Sequence, residues 1–252
     1  MTDLIIGERF NGPPGIGNGG YCCGRLAAHY GGDDRAEGLE VTLLRPVPPE
    51  QPLQVRPGSD GNGSELIDAA GDVLAKVRAG RPDLEEPVCP EPALARNASR
   101  SYEGLAEGVW SGCFVCGPDR SPGDGLRIFP GPVSDELVAA PWTPDPSLSG
   151  RDGFLAPEFI WAALDCPGYF GVFQGQELPV ALLGRLTVQI RRPVPVGDEL
   201  IVTGWPVARE GRKHSCGSAL FDGTGRCLAI ARGLWVMLKK DAAVPGEDAP
   251  GP

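Results

Sequence analysis

Residues 39–78 and 186–232 are two copies of one pattern, and a chain that repeats itself in this way must build two equivalent units that bury their apolar faces together. LEVTLLRPVP (39–48) lies over LTVQIRRPVP (186–195), matching Leu39 to Leu186, Val41 to Val188, Arg45 to Arg192 and Pro46 to Pro193. The offset of 147 residues also carries Leu53 to Leu200 and Val55 to Val202. Farther on, ELIDAAGDVLAKVR (65–78) lies over ALFDGTGRCLAIAR (219–232) at an offset of 154, matching Asp68 to Asp222 and Gly71 to Gly225. The second copy therefore carries seven extra residues around the turn-like AREGRKH, an insertion that a loop absorbs at little cost.

Within each copy the pattern has the period of a strand. Leu39, Val41 and Leu43 alternate with Glu40, Thr42 and Leu44, as Leu186, Val188 and Ile190 do with Thr187, Gln189 and Arg191. The R-P-V-P after each run ends the strand, because proline cannot donate to a ladder. D-A-A-G and D-G-T-G read as hairpin turns, so each copy is a short antiparallel meander. A helix-like segment precedes each meander: 18–31 in the first copy, and 157–173 in the second, where Phe159 to Leu164 are apolar on every face. The expectation is an α+β fold in which a long central helix is wrapped by a curled antiparallel sheet, twice over. The halves are placed at 1–80 and 109–240, with a Pro/Glu-rich connection at 81–108 and a disordered tail at 241–252.

A net charge of −10 leaves little basic surface to neutralise phosphates, so neither nucleic acid nor an anionic membrane is expected as a partner. No apolar run reaches a membrane span and the start lacks a signal-type core, which reads as a cytoplasmic protein. Eight cysteines in a cytosolic chain of 252 residues need not be a disulfide scaffold. Cys113 and Cys116 form a lone C-x-x-C without a second Cys or His pair at ligand spacing, so no metal is expected, and nothing points to a cofactor.

A strand, a buried helix opening after a glycine pair, then a meander with R-P-V-P-x-G-D-x-L and G-x-x-L-A, is similar to the hotdog superfamily. Among its members the chain looks most like the acyl-CoA thioesterases of the 4-hydroxybenzoyl-CoA and phenylacetate-pathway type. CFVCGPDRSPGDGLRIF (113–129) also resembles the opening of some of these, where C-x-x-C-G leads into a strand. The resemblance implies a double-hotdog thioesterase acting on an acyl-CoA or acyl-carrier-protein thioester, and it allows a homodimer of such chains.

In the thioesterases that this chain resembles, an H-G-G triplet opens the helix and an acidic residue follows seven positions after the second glycine. The first copy has Asn18, Gly19 and Gly20 but Ala27 at the acidic position; the second has Ala156, Pro157 and Glu158, then Asp165. Two glycines in a first helical turn are each about 1 kcal/mol worse than alanine, which suggests a close approach to the backbone. Free N–H groups there, aided by the helix dipole, suit a thioester oxygen. Asn18 is a natural N-cap. Pro157 and Glu158 disable the other helix end, whereas Asp165 is a carboxylate in an apolar helix that needs a partner or a task.

The expectation is thus one composite site. Asp165 activates water or attacks directly, and the Gly20 and Tyr21 amides, capped by Asn18, form the oxyanion hole. Gly19 and Asn11 would contact substrate. Pro167 and Gly168 should break the helix just after Asp165 and open room for an acyl chain beside Trp161, Tyr169 and Phe170. Arg192, with Arg45, Arg212 and Lys213 as further candidates, would hold coenzyme A phosphates. The plainer readings are a satisfied buried carboxylate at Asp165, tight helix-to-sheet packing at the glycines, a turn asparagine at Asn11 and solvated arginines. Two other functions remain: a non-catalytic acyl-thioester binder, and a hydroxyacyl dehydratase of the same fold, for which His29 is the only candidate base.

Overall fold

The computed structural model describes residues 1–31, 37–59, 61–105 and 111–239, so the predicted tail lies outside the described residues. In chain order the strands are β1 (Thr2–Leu4), β2 (Leu39–Leu43), β3 (Leu53–Pro57), β4 (Ser64–Ile67), β5 (Val73–Ala79), β6 (Gly131–Ser134), β7 (Leu137–Trp142), β8 (Ala181–Ile190), β9 (Leu200–Glu210), β10 (Lys213–Phe221) and β11 (Cys227–Met237). They form a single sheet in the order β1-β3-β4-β5-β2-β8-β11-β10-β9-β7-β6. The helices are α1 (Gly19–Ala27), α2 (Pro92–Ser99), α3 (Pro157–Ala163) and α4 (Cys166–Phe173).

The repeat explains the order. The first copy supplies β3-β4-β5-β2, the second supplies β8-β11-β10-β9, and the two runs mirror each other about the β2–β8 seam. There Leu39 pairs with Val188, Glu40 with Thr187 and Val41 with Leu186, all antiparallel. Since Leu39 corresponds to Leu186 and Val41 to Val188, this register is what a two-fold axis through the Glu40–Thr187 pair produces. The alternation turns Val41, Leu186 and Val188 into the core, each at most 2% exposed.

Local detail repeats as well. Asp68 and Asp222 close equivalent turns, each side chain accepting from backbone amides two and four residues on, with Gly71 and Gly225 at positive φ. Before each R-P, two successive amides share one carbonyl: Leu44 and Arg45 donate to Leu74, and Arg191 and Arg192 to Leu228. The seven-residue insertion appears as a longer hairpin, β9 and β10 spanning 11 and 9 residues against 5 and 4 in β3 and β4.

Four expectations need correction. Neither copy is a simple meander, since β2 pairs with β5 and β8 with β11; the connection at 81–108 also carries α2, which buries Ala95 and Ala98. Neither copy holds a long helix: α1 has nine residues, and the second segment is divided into α3 and α4 of seven and eight. The division falls at Leu164–Asp165 rather than after Asp165, because Pro167 has no N–H to offer Ala163 and its ring clashes with a helical carbonyl there. The chain crosses the break with tighter bonds, Asp165 N–H to Ala162 and Gly168 N–H to Asp165.

Helix α1 lies directly on α3. A Cβ on Gly20 would stand 2.6 Å from the Trp161 carbonyl oxygen, and one on Gly24 2.6 Å from the Glu158 Cα, so the two glycines let the helix backbones touch. These two pack helix against helix, whereas Gly19 faces the sheet, where a Cβ would stand 3.0 Å from Leu183 Cβ on β8. An aromatic group locks the assembly from outside: Phe10 stacks on Tyr21 with ring centroids 4.0 Å apart, and Phe114 meets Phe10 edge-on at 5.0 Å.

Two expectations about stability follow. Gly24→Ala gains about 1 kcal/mol of helix propensity, but a rigid backbone atom must move, which costs about 1–3 kcal/mol. The net effect in urea unfolding should be destabilising; a more stable variant would show that the helices are not in backbone contact. Glu65 is buried and meets the Lys76 amine at 2.9 Å, the Arg56 guanidinium at 3.0 Å and the Ser59 hydroxyl at 2.7 Å, contacts that, led by Lys76, lower its pKa to about 2. Its contribution is therefore full above the unfolded value of about 4.3 and fades as pH falls towards 2. The stability advantage of wild type over Glu65→Gln should narrow across that window, and a difference independent of pH would contradict the assignment.

Candidate active site

Asn18 caps α1 by accepting the Tyr21 N–H at 2.9 Å, an ordinary asparagine N-cap. Its side-chain amide then donates to Asp165 Oδ2 at 3.1 Å, and the Gly20 N–H donates to the same oxygen at 2.9 Å. Because α1 and α3 touch at Gly20, the break that follows α3 sets Asp165 against the first turn of α1. The structure thus brings together the glycine-opened helix of one copy and the acid of the other.

Asp165 is 2% exposed, and its Oδ1 has no hydrogen-bond partner among the described residues. Burial pushes its pKa up to about 7; the Gly20 amide opposes this, nearby Cys113 adds to it, and the Asn18 amide opposes it. A carboxylate in this condition holds a proton loosely at neutral pH, which suits proton transfer.

Asp165 lines a largely apolar cavity of about 250 Å³ together with Asn18, Gly19, Tyr169, Leu183 and Trp235. Leu183 and Trp235 are cross-strand partners beside a register shift between β8 and β11. Arg45 stands in its lining as well, 55% exposed at its side chain and paired with Asp72. Phe170 also lines the cavity, and the Tyr169 hydroxyl donates to the Pro179 carbonyl at 2.7 Å.

Other expected residues fall elsewhere. The two amides expected to face a thioester oxygen are both engaged, Gly20 by Asp165 and Tyr21 by Asn18. The Gly19 N–H, one residue earlier and beside the cavity, has no partner among the described residues. The Tyr21 ring belongs to the outer aromatic group and its hydroxyl accepts from Arg25 at 3.0 Å. Asn11 lies outside the cavity lining: its side chain donates to the Gly12 carbonyl and accepts from Arg120, and its carbonyl accepts the Phe114 N–H. Trp161 packs beneath α1 at Gly24 and does not line the cavity.

Arg192 lies in a different, more polar depression with Asp198, Asp222 and Arg226. The two-fold relation explains this. Each R-P segment sits beside one of two equivalent places, and Arg45, not Arg192, belongs to the one that has Asp165. Neither His29 nor His214 lines the cavity, so the fold brings no histidine base to it. The lone reading of the C-x-x-C also needs correction, because Cys166 Sγ lies 3.8 Å from Cys113 Sγ. Arg45 was among the expected phosphate-binding candidates and is the one that lines this cavity, whereas Trp235 and the meeting of the third cysteine with the other two were missed.

The fold has known counterparts. Solved structures align over most of the chain: a tesB protein of Mycobacterium avium subspecies paratuberculosis at 12% identity and TM-score 0.56, covering 89% of each chain; a Thermobifida fusca protein assigned as a thioesterase II at 18% and 0.56, covering 94% of this chain and 92% of that one; and a Novosphingobium aromaticivorans protein assigned as a thioesterase at 13% and 0.56, covering 94% and 95%. At these identities the likeness shows a shared fold and no more, a large antiparallel sheet with few helices. No protein-family model matches the chain. No curated protein matches it.

Asn18 holds two bonds at once, and Asn18→Ala should cost about 1–2 kcal/mol in chemical denaturation, from the lost cap and the Asp165 contact. Asn18→Ser, which keeps a cap acceptor, should lose less. Equal stability of wild type and Asn18→Ala would mean that the cap and the carboxylate contact contribute nothing.

Proposed function

We propose that the chain is a fused pair of hotdog halves that hydrolyses an acyl thioester at one composite site, with Asp165 as the acting carboxylate. The observation that carries this is the convergence of a buried carboxylate, one oxygen of it unpartnered, with the first turn of α1 in an apolar cavity. The mirrored strand order about the β2–β8 seam supports the double-hotdog reading.

In this reading the thioester carbonyl oxygen lies at the Gly19 N–H, where the positive end of the helix dipole adds to a free donor. Asp165 Oδ2 stays fixed by Gly20 and Asn18, and Oδ1 takes a proton from water or attacks the carbonyl carbon itself. In the first case the hydroxide oxygen bonds to the carbonyl carbon, the carbon–sulfur bond breaks, and the leaving thiolate takes the proton held by Asp165. In the second the thiolate leaves an acyl–Asp165 anhydride, which water hydrolyses to the free acid and the regenerated carboxylate, giving its proton to the thiolate. The acyl chain runs along Tyr169, Phe170 and Trp235. Arg45 meets a coenzyme A phosphate at the mouth, while a carrier-protein thioester would approach from the same side. The other place of the pair, with Ala27 where the acid would stand and Pro157 and Glu158 at the helix start, is silent.

A binding-only role draws support from the engagement of the Gly20 and Tyr21 amides, which leaves a single amide to hold the oxygen. Thiol release from a panel of acyl-CoA substrates separates the two. Wild type should hydrolyse at least one, and Asp165→Ala and Asp165→Asn, folded by circular dichroism, should lose about 10²–10⁴-fold in kcat. Full activity in both variants would sink the mechanism, and acyl-CoA binding without turnover by wild type would favour the binder.

The role of Arg45 has its own test. Arg45→Ala should raise KM for acyl-CoA substrates several-fold yet leave acyl-N-acetylcysteamine thioesters, which lack the phosphates, unaffected. An equal change in both would remove Arg45 from phosphate recognition.

A further inference from the structure

Three cysteines meet where the sequence shows only two. Cys113 and Cys116 come from the turn that enters the second copy, and Cys166 is the first residue of α4, immediately after Asp165. Their sulfurs all lie within 4.8 Å of one another, with Cys113 and Cys166 at 3.8 Å. All three residues are buried, at 2%, 3% and 6% exposure, and all three line the cavity.

We propose that Cys113, Cys116 and Cys166 bind one thiophilic divalent metal ion of the zinc class as a three-thiolate site whose fourth coordination position faces the cavity.

The geometry is that of a ligand set. Zinc–sulfur bonds are about 2.3 Å and the structural arrangement is tetrahedral, which places two sulfurs of one site about 3.8 Å apart. The Cys113–Cys166 separation matches this, and it is far longer than a disulfide bond of about 2.04 Å. Three thiols also suit a metal better than a disulfide, which would leave the third sulfur over. Thiolates select zinc-like and softer ions over magnesium or calcium.

The turn is built to aim its two sulfurs together. In Cys113-Phe-Val-Cys116-Gly117 the Gly117 N–H donates to the Cys113 carbonyl at 2.9 Å, and a Cβ on Gly117 would come within 2.5 Å of that same oxygen, so only glycine closes the turn this tightly. Phe114 anchors the turn in the outer aromatic group, and the Tyr102 hydroxyl donates to the Cys116 carbonyl at 2.9 Å. Cysteine binds metal as the thiolate, so coordination would release thiol protons.

Among the described residues no fourth Cys, His, Asp or Glu side chain completes the cluster. Its open side is the cavity, where water or a small ligand supplies the fourth donor, the pattern of a metal with one exchangeable position. The metal would also tie the C-x-x-C turn to the helix break that carries Asp165. The inference does not depend on thioester hydrolysis, because it is read by metal uptake alone.

The test uses the full chain, reduced, stripped with a chelator and titrated with Zn²⁺ against a chromophoric competitor, then with Co²⁺ by absorption spectroscopy. The expected result is uptake of one ion per chain, with sulfur-to-cobalt charge transfer in the near ultraviolet and visible bands of tetrahedral intensity. Cys113→Ser, Cys116→Ser and Cys166→Ser should each weaken binding by roughly 100-fold or more, since each removes a coordinating thiolate, while Cys89→Ser, remote from the cluster, binds as wild type does. Should the cluster variants fail to fold, the cobalt spectrum of wild type alone decides. Absence of uptake by reduced wild type at micromolar concentrations, cobalt bound without a sulfur band, or equal loss in Cys89→Ser would each overturn the proposal. So would a Cys113–Cys116 or Cys113–Cys166 disulfide in protein whose reduced form takes up no metal, which would mark a redox pair instead.

Discussion

The contact between Asp165 Oδ2 and the Gly20 N–H, 2.9 Å long, is the interaction around which the rest of the molecule is arranged. A buried carboxylate is costly unless it is bonded, and here the bonds come from the opposite copy. That requires α1 and α3 to approach until their backbones touch, which requires Gly20 and Gly24. It also requires the helix of the second copy to break at Leu164–Asp165, which Pro167 imposes. Placement of a single acid thus draws on the helix cap at Asn18, the glycines of α1, the proline of α4 and the two-fold seam that sets the copies against each other.

The same constraint accounts for how the copies have diverged. Two identical copies would make two identical places, each with a glycine-opened helix and an acid. In the proposed reading the first copy supplies the helix opening and the second the acid, so one place would have both parts and its counterpart neither. Arg45 and Arg192 show the consequence at the surface: equivalent by sequence and alike in backbone bonding, they stand beside different depressions, and only the depression of Arg45 leads to the carboxylate.

Much of this was readable in the sequence where the signal is local and periodic. Alternation in 39–44 and 186–191, the R-P stops and the Asp–Gly turns pointed to the strands but not to their order, since β2 lies beside β5 and β8 beside β11, and the displaced halves of one motif pointed to Asp165 facing Gly20. What could not be read depends on how distant segments cross. Asp165 and Asn18 occupy the Gly20 and Tyr21 amides, so among the described residues the donor left without a partner at the start of α1 is Gly19. Trp161 and Tyr169 sit on the same apolar segment, but the break between α3 and α4 sends one under α1 and the other to the cavity. Cys166 joins Cys113 and Cys116 from fifty or more positions farther along the sequence, a meeting that no spacing rule would show. Helix α2 was hidden because its stabilising contacts, at Ala95 and Ala98, are small residues in a Pro/Glu-rich stretch that lacks an apolar period.

The central claim is that the carboxylate and the first turn of α1 act on one acyl group between them. It is tested most directly by a crystal structure of the chain with a non-hydrolysable acyl-CoA analogue in which a methylene group replaces the thioester sulfur. The account predicts the analogue's carbonyl oxygen within hydrogen-bond distance of the Gly19 N–H, its carbonyl carbon about 3–3.5 Å from an Asp165 oxygen or from a water that Asp165 holds, and its phosphates near Arg45. An acyl group seated in the depression beside Arg192, or in the cavity with its carbonyl turned away from α1, would contradict it.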